Sequence, residues 1–547
     1  MSNWTSTVRR QIDTSFPNDQ LLPDRQPAYV RSSLYLLGAA TLVSFVVVLI
    51  SGIVLGLFGP QWWHQSAVGH FFNSVHFWSV QAFFFFMALH LWTTFFMGAW
   101  RDGRAKTWMV GVLAFIVSIL TAFTGYLSQT NFDSQWIAVS AKDLMNSLGV
   151  GGFFNPLNFG QMYTYHIIIF PAAIAAIIAI HILFVRLRGV VRPYPARGEE
   201  REAYRKGMTQ AEYFRGVRTE PYDLIREVTI IGAVVLVLVL VFSGIYSSGD
   251  ERPLTLQSVA QSDPVGFTTV SLAELDGSSS IAGYGQPYNN ATGATQALGP
   301  ISFQQLGGVT IPVDTAQVYV YGPLATIHNE AVLAAVAQYK AASADQQSKW
   351  TTNYSDALAK NTNEALDANG DLVLPTGDYG PLPTMFNTLL ANARSGSLDG
   401  ILLASGTFYQ TDYTKSLLFL NESALPDRAS AEHLAGDQWG MMNEPGMYPG
   451  QAWLWLYTLW YQVPAQPFNG PNADVAVAVV MLILTALLFL VPYIPGLKDL
   501  PRYLRLYRII WRDHYREMER GQAPAHTSAQ ASGGPMARRM MGRTQQR

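Results

Sequence analysis

Six long apolar runs constrain this chain more than any other feature of its sequence. They cover residues 33–57, 71–98, 108–128, 163–185, 227–247 and 473–493. Each exceeds the roughly 18 apolar residues that mark a candidate membrane helix. In lipid, only helices and closed barrels satisfy their own backbone hydrogen bonds, and runs of this length favour helices. The sequence therefore predicts an all-α transmembrane fold with six membrane helices.

The basic residues between the runs predict how these helices are oriented, because positively charged loops favour the cytoplasmic side. The loop 101–106 is basic, residues 186–226 carry ten Arg or Lys, and the tail from residue 498 carries eleven against four acids. In contrast, residues 250–450 hold seven basic and twenty acidic residues. We therefore expect both termini to be cytoplasmic and residues 249–448 to be extracytoplasmic.

The outer insertion and the C-terminal tail have their own patterns. Strand-like alternation at 309–322 and a helical composition at 328–366 predict a small mixed α/β domain. Residues 500–520 alternate apolar and basic positions, which predicts an amphipathic helix on the inner membrane face or on a partner, before a disordered end. The predicted parts are an N-terminal segment (1–32), a four-helix core (33–190), a basic connection (191–226), the fifth helix (227–248), the insertion (249–448), a re-entry segment with the sixth helix (449–497) and the tail (498–547).

Four of the ten histidines lie inside predicted membrane helices. His76 and His90 are 14 residues apart on the second helix, and His166 and His181 are 15 apart on the fourth. These gaps correspond to roughly 21 and 22 Å along a helix axis, and both return near the same face. Because both helices begin outside, His76 and His166 form an outer pair and the other two an inner pair. A hydrogen bond to a neighbouring helix or a proton path would explain one histidine, whereas two matched pairs are what two stacked bis-histidine haems need.

Glycines and the absence of cysteine support the same interpretation. The chain has no Cys, which excludes thiolate metal sites and thioether-attached haem within it. Gly38 and Gly52 on the first helix, and Gly111 and Gly125 on the third, repeat the 14-residue interval. Small residues also mediate ordinary helix packing, but only glycine lets a flat macrocycle approach the backbone closely. We therefore predict a four-helix bundle that holds two non-covalent b-type haems.

Together with three longer segments, these residues resemble the cytochrome b subunit of quinol-oxidising cytochrome bc complexes. The segments are LTAFTGYLSQTNFDSQW (120–136), TYHIIIFPAAIAAIIAIHILFVRLRGVVRP (164–193) and EPYDLIREVTIIGAVVLVLVLVFSG (220–244). The resemblance covers about 1–248 and 449–500. It implies a dihaem subunit of a respiratory chain in a prokaryotic plasma membrane, with quinone and quinol as substrates. The implied partners are membrane lipid, a Rieske or other iron–sulfur protein, a c-type cytochrome and a second copy of the chain, with no nucleic acid.

The sequence departs from the family pattern at the outer quinol site. The family's Pro-Glu-Trp-Tyr motif is missing from 449–464, and Phe72 stands where the family has an arginine. Near the inner haem, Arg101 and Arg104 are candidate partners for propionates, although basic residues there also serve topology. The resemblance leaves as candidate catalytic residues of the outer quinol site Tyr126, Asp133, Glu444 and Trp453.

Two other functions stay open on this evidence. The altered motif and the insertion at 249–448 also fit a b-haem membrane anchor, which relays electrons between quinone and an extracytoplasmic oxidoreductase without bifurcating quinol oxidation. A channel or transporter would need polar residues along a path through the bilayer, and the predicted helices lack them.

Overall fold

The computed structural model describes residues 3–15, 25–196, 199, 204–206, 208, 210–283, 296–308, 314–361, 366–404, 410–434 and 452–522. In these ranges, six helices are long and apolar enough to cross a membrane. From the first span to the sixth they are Ser33–Phe58, Ala67–Phe96, Ala105–Leu127, Phe159–Arg188, Leu224–Tyr246 and Ala473–Leu490. Each overlaps one predicted apolar run, so the prediction of six membrane helices is confirmed. Their orientation across the membrane stays a prediction.

The first four spans pack as two neighbouring pairs. The first span packs against the second and the third against the fourth, while the fifth lies on the first two and the sixth on the third. Five buried apolar side chains from three of these spans meet in one cluster at the middle of the bundle: Phe45, Phe83, Phe84, Met87 and Ile174. This cluster lies between the levels of the outer and inner histidines. Its members on the second and fourth spans fall between the histidines of those spans, and Phe45 falls between Gly38 and Gly52 of the first span.

A π-helical turn, Tyr165–Ile169, interrupts the fourth span. Pro171 follows it and has no backbone N–H to donate, so the regular hydrogen-bond ladder is already broken at this point. A π-turn holds one residue more than an α-turn and often marks a functional site. The 15-residue gap between His166 and His181 is thereby equivalent to the 14-residue gap on the second span.

The region 250–434, between the fifth and sixth spans, forms helices joined by turns and irregular segments in its described part, with isolated β-bridges. Its helices are Leu256–Ser262, Pro264–Asp276, Ser280–Gly283, Phe303–Leu306, Ala316–Tyr321, Gly322–Ala325, Glu330–Ala341, Ala344–Lys360, Leu382–Arg394, Ser397–Ala404, Thr414–Leu420 and Ala424–Ala431. We call this region the outer domain.

The predicted mixed α/β character of the outer domain is wrong for its described part. Residues 309–313 lie outside the described ranges, but Ala316–Tyr321, within the predicted strand, forms a π-helix. The alternation was misleading because the neighbouring Tyr319 and Val320 are both buried, whereas successive residues of a strand point to opposite faces. The helical prediction for 328–366 is confirmed by two of the helices in that stretch.

The outer domain sits directly on the outer end of the third span. The helix Phe132–Ser147, which follows that span, packs against the helices Thr414–Leu420 and Ala424–Ala431. Tyr126 at the end of the span shares one hydrophobic core with the outer domain. Trp136 adds a hydrogen bond of 3.0 Å to a backbone carbonyl of that domain. The outer domain is therefore fixed to the part of the bundle that carries the outer histidines.

Glu274 is a buried acid in the core of the outer domain. It is fully inaccessible to solvent, and one carboxylate oxygen accepts a hydrogen bond of 2.8 Å from Ser279. The other carboxylate oxygen has no partner within the described part of the chain. Burial raises the pKa of Glu274 from 4.5 to about 8. The folded domain therefore keeps a proton on this group at neutral pH.

We expect Glu274→Gln to flatten the pH dependence of stability. Between pH 4.5 and about 8 the folded state holds a proton that the unfolded chain releases. The free energy of unfolding therefore decreases as pH rises, by up to about 1.4 kcal/mol per pH unit. The variant should match the wild type near pH 4.5 and melt at a higher temperature at pH 8. Thermal unfolding followed by tryptophan fluorescence checks this, and equal slopes in both proteins would contradict it.

On the predicted cytoplasmic side, a short antiparallel sheet joins Arg25–Pro27 to Thr219–Pro221. The sheet holds the segment before the first span against the connection that follows the fourth.

Other short helices lie outside the spans on both predicted sides of the membrane. They are Asn3–Ser15, Ala28–Arg31, Pro60–Gln65, Gln210–Tyr213, Ala452–Leu454, Trp455–Tyr461 and Leu497–Asp499.

The predicted single amphipathic helix of the tail is wrong. The segment forms three short helices, Leu500–Leu504, Tyr507–Ile510 and Arg512–Gln522, and Arg505 between the first two has a left-handed backbone with φ of 58°. Trp511 is only 1% exposed and donates its indole N–H to the Tyr35 hydroxyl at 2.8 Å. Tyr507 and Ile510 pack on the protein with Trp511, whereas Tyr503 and Ile509 are exposed. Contact of the tail with the inner membrane face stays a prediction. The end predicted to be disordered, 523–547, lies outside the described residues.

Candidate cofactor and quinol site

The outer histidines, His76 and His166, face each other across the bundle. Their ring centroids are 6.1 Å apart and their planes are at 89°. The Nδ1 of His76 lies 3.1 Å from the carbonyl of Val48, and that of His166 lies 2.9 Å from the carbonyl of Thr121. With Nδ1 donating to a carbonyl, the Nε2 lone pair of each ring is available for a metal. Two imidazoles that bind one metal ion through bonds of about 2 Å have ring centres about 6 Å apart, so this pair fits a single iron.

The inner histidines, His90 and His181, lie one level deeper in the bundle. They are carried by the same two spans and lie within electrostatic range of each other. The Nδ1 of His181 lies 3.1 Å from the carbonyl of Thr107, which is the same kind of anchor as in the outer pair.

Each of the four predicted glycines faces one of the four imidazoles. A Cβ atom built on Gly125 would lie 2.7 Å from Nδ1 of His166 and closer still to its Cε1. For the other three, the distances from the built Cβ to imidazole Cε1 are 3.1 Å from Gly38 to His90, 3.0 Å from Gly52 to His76 and 3.0 Å from Gly111 to His181. These distances are well below an ordinary contact of about 3.5–4.0 Å between carbon atoms.

The structure thus gives the glycines a different physical reason from the predicted one. The carbonyls that accept from the imidazoles belong to residues four positions before a glycine: Val48 before Gly52, Thr107 before Gly111 and Thr121 before Gly125. In an α-helix the carbonyl of residue i lies beside the N–H of residue i+4. A side chain at the later position would therefore cover the carbonyl. Glycine makes room for the imidazole itself, which is what the sequence argument missed.

A cavity lies beside the outer pair. Its lining includes both outer histidines, the two glycines that face them, and two aromatic side chains, Tyr126 and Trp453. The donor set is two neutral nitrogens, the neighbouring backbone is exposed by glycine, and the aromatic walls are largely apolar. These residues fit a planar iron porphyrin with two axial imidazoles.

Three of the four predicted quinol-site residues come together here. The Tyr126 hydroxyl donates a hydrogen bond to the Asp133 carboxylate, and the two residues are 4% and 1% exposed. Trp453 meets the Tyr126 ring edge-on at 6.2 Å and stacks on Phe84 at 5.9 Å. Glu444 lies outside the described residues. A role of these side chains in quinol oxidation stays a prediction.

Arg101 and Arg104 have contacts that the sequence did not indicate. The Arg101 guanidinium lies 3.6 Å above the Tyr194 ring and donates to the carbonyl of Arg192 at 2.8 Å. Arg104 is 4% exposed and donates to the carbonyl of Arg188 at 2.8 Å. Both side chains therefore tie the 101–106 loop to the chain that follows the fourth span. Their contact with haem propionates stays a prediction.

A group of titratable residues near the outer site was not identified from the sequence. His64 bonds through Nδ1 to the Asp250 carboxylate, and His70 lies 3.8 Å from the same carboxylate. Glu251, the next residue, has its pKa raised by burial and by nearby acids that include Asp133. The signal was present, since histidines before the second span and acids after the fifth lie on the same predicted side, but nothing in the sequence indicated that they meet.

The fold and the site define a class: a multi-pass helical protein with six candidate membrane spans and two pairs of histidines inside its bundle. Residues 81–253 match the family model described as cytochrome b (N-terminal)/b6/petB. The resemblance predicted from the sequence is confirmed. This match supports a divergent bc-type cytochrome b.

Curated relatives agree with the family match. Cytochrome b6 of Heliobacterium modesticaldum is 25% identical over 189 residues, which cover 30% of this chain and 89% of that protein. The menaquinol:cytochrome c reductase cytochrome b subunit of Geobacillus thermodenitrificans is 24% identical over 200 residues, 32% of this chain and 89% of that protein. The cytochrome bc1 complex cytochrome b subunit of Mycobacterium bovis is 24% identical over 320 residues, 50% of this chain and 53% of that protein.

A solved structure described as a hyperthermophilic respiratory Complex III covers 72% of this chain and 96% of its own chain. Its sequence identity is 18% and its TM-score is 0.33. A likeness at that score carries no argument about the function of this chain.

Proposed function

We propose that the chain is the dihaem cytochrome b subunit of a respiratory quinol-oxidising complex, and that it carries electrons across the membrane between quinone and partner redox subunits. The observation that carries this proposal is the outer histidine pair, with ring centres 6.1 Å apart, Nδ1 atoms anchored to carbonyls, and a glycine facing each ring. The same spans repeat the pattern at the inner level, so the proposal contains two haems.

The chain's own side chains hold and isolate the cofactors. His76 with His166, and His90 with His181, would supply the nitrogen ligands of the two irons. Backbone carbonyls hold Nδ1 of His76, His166 and His181, which leaves Nε2 of these three rings available. A b-type haem bound in this way supplies one-electron transfer, because two axial imidazoles leave no open position for oxygen or substrate. The apolar cluster around Phe83 excludes water from the layer between the two levels.

The outer candidates have distinct proposed roles beside the outer pair. Trp453 offers a flat aromatic wall for a quinol ring, and Tyr126 with Asp133 forms a buried hydrogen-bonded pair that can bind a quinol hydroxyl and accept its proton. A carboxylate in this position is the kind of base that proton removal from a quinol needs. Glu444 stays a candidate on sequence grounds.

The proposed setting follows from the relatives. One of them is named a menaquinol:cytochrome c reductase subunit and another a bc1 complex subunit. We propose a quinol as the donor, a Rieske or other iron–sulfur protein and a c-type cytochrome as partners, and a homodimer in a prokaryotic plasma membrane. Both termini are then cytoplasmic and the outer domain extracytoplasmic.

Quinol-driven reduction tests this function in membranes that contain the full complex. With quinol and an outer one-electron acceptor, the proposal predicts that electrons reach both the acceptor and the b haems in the same turnover. Controls without quinol should show neither reaction. Full haem content without any quinol-dependent reduction would contradict the proposal.

A second candidate, the b-haem membrane anchor for an extracytoplasmic oxidoreductase, keeps support from two observations. Residues 452–464 contain no carboxylate, and the outer domain shares its core with Tyr126, so it covers the region where an outer acceptor would approach. In the same experiment, this anchor would exchange electrons between quinone and its haems without reducing the outer acceptor.

A further inference from the structure

An open pocket lies on the outer side of the bundle, next to the proposed quinol site. Four titratable side chains line it: His64, His70, Asp250 and Glu251. They come from the short helix before the second span, from that span itself and from the chain directly after the fifth span. The pocket therefore brings together groups that are far apart in sequence, and it opens to the outside.

Glu251 connects this pocket to the buried pair Tyr126–Asp133. Its backbone carbonyl accepts a hydrogen bond of 3.1 Å from the N–H of Phe132, the neighbour of Asp133 in the chain. The carboxylates of Glu251 and Asp133 interact electrostatically. Oxygen Oε2 of Glu251 is buried and makes no hydrogen bond with any described residue. The side chain thus lines the open pocket while it lies beside the buried acid.

His64 and Asp250 continue from Glu251 towards solvent. The Nδ1 of His64 is hydrogen-bonded to the Asp250 carboxylate, and its Nε2 lies 2.9 Å from the carbonyl of Gln129 and 3.0 Å from the Thr130 hydroxyl. An imidazole held on both sides can take up a proton on one nitrogen and release one from the other. His64 is 24% exposed at its side chain, so water reaches the ring.

The charges around Glu251 favour removal of a proton from the buried site. Asp133, Asp250 and Glu432 are the acids that face it. From the outer domain, Arg428 is held by Glu432 at 2.7 Å and by a backbone carbonyl. Glu432 is therefore paired with this cation and takes no part in the relay.

We propose that Glu251 is a proton-relay residue, which takes a proton released at Tyr126–Asp133 during quinol oxidation and passes it through Asp250 and His64 to the outer solvent. This inference rests on the proposed function. In each transfer one O–H or N–H bond breaks and one forms, and no electron moves along the relay. The two electrons of the quinol leave separately, to the outer acceptor and to the haems.

The test compares Glu251→Gln with Glu432→Gln in the full complex, because both changes remove one negative charge from the same group of residues. We expect Glu251→Gln to retain both haems and to oxidise quinol at least about 10-fold more slowly, since a positioned proton-transfer group contributes about 10²–10⁴-fold. Millimolar formate should restore part of the rate, because a small carboxylate can enter the open pocket. Glu432→Gln should stay within about twofold of wild type, a margin that is small against that contribution.

Three results would overturn the relay. These are a wild-type rate in Glu251→Gln, a rate loss that formate does not relieve, or an equal loss in Glu432→Gln. If Glu251→Gln fails to retain haem, Asp250→Asn takes its place in the same comparison with the same expected loss and rescue. A wild-type complex with full haem content that oxidises no quinol would overturn the proposed function and the relay with it, so the two failures are distinguishable.

Discussion

His90→Ala is expected to remove the inner haem and leave the outer one, which halves the haem content of each chain. The inner site then has one axial nitrogen, from His181, whereas the outer ligands are on the other level of the bundle. His181→Ala should have the same effect, and His76→Ala or His166→Ala should remove the outer haem instead. Pyridine haemochrome analysis of the purified protein gives the number of haems, and a redox titration shows which component is missing.

The control for these variants is a histidine outside the bundle. His328 lies in the outer domain with a backbone φ of 54°, so Asn, which tolerates the left-handed region, is the suitable replacement. His328→Asn should retain the wild-type haem content. Unchanged stoichiometry in His90→Ala or His181→Ala would mean that the pairing of the histidines is wrong.

Gly125→Ala is the second change from which we expect a large effect, namely loss of most of the outer haem. The new methyl group would overlap the His166 imidazole, and the ring cannot retreat without losing its 2.9 Å hydrogen bond to Thr121. Gly52→Ala, with its Cβ at 3.0 Å from His76, should lose less haem. The same haem assay checks both variants after expression with excess haem.

Gly56→Ala is a matched control, one helical turn from Gly52 and in the lining of the same cavity. Its built Cβ would be 3.9 Å from the nearest atom, a methyl carbon of Ile167, which is an ordinary contact. The expected order of haem loss is therefore Gly125→Ala, then Gly52→Ala, then Gly56→Ala with none. If all three variants behaved alike, the glycines would serve only helix packing.

The features that could be predicted from the sequence are those that depend on local periodicity. Apolar runs of membrane length predicted all six spans. The 14-residue interval shared by the histidines and the glycines was recognised in the sequence, but the direct contact of each glycine with an imidazole was not. The π-turn at Tyr165–Ile169 could not be predicted in this way, because it depends on how one extra residue is absorbed next to Pro171. The 15-residue spacing between His166 and His181 was the one sign of this π-turn in the sequence.

The failures have a common physical cause, which is contact between segments that are far apart in sequence. In the run at 316–321 the neighbouring residues Tyr319 and Val320 are both buried, so the alternation in the sequence did not correspond to the faces of a strand. The tail found an apolar partner around Trp511 on the protein itself. Glu251 lies beside Phe132, more than a hundred positions earlier, and only the folded bundle brings the two together.

The number of b-type haems bound by the purified full-length chain tests the central claim most directly. The account predicts two non-covalent haems per polypeptide, with a reduced-minus-oxidised spectrum of the b type and both haems extracted by acid acetone. A colourless protein after haem-replete expression would contradict it. So would a wild-type chain that binds only one haem and keeps that same haem in both His90→Ala and His76→Ala.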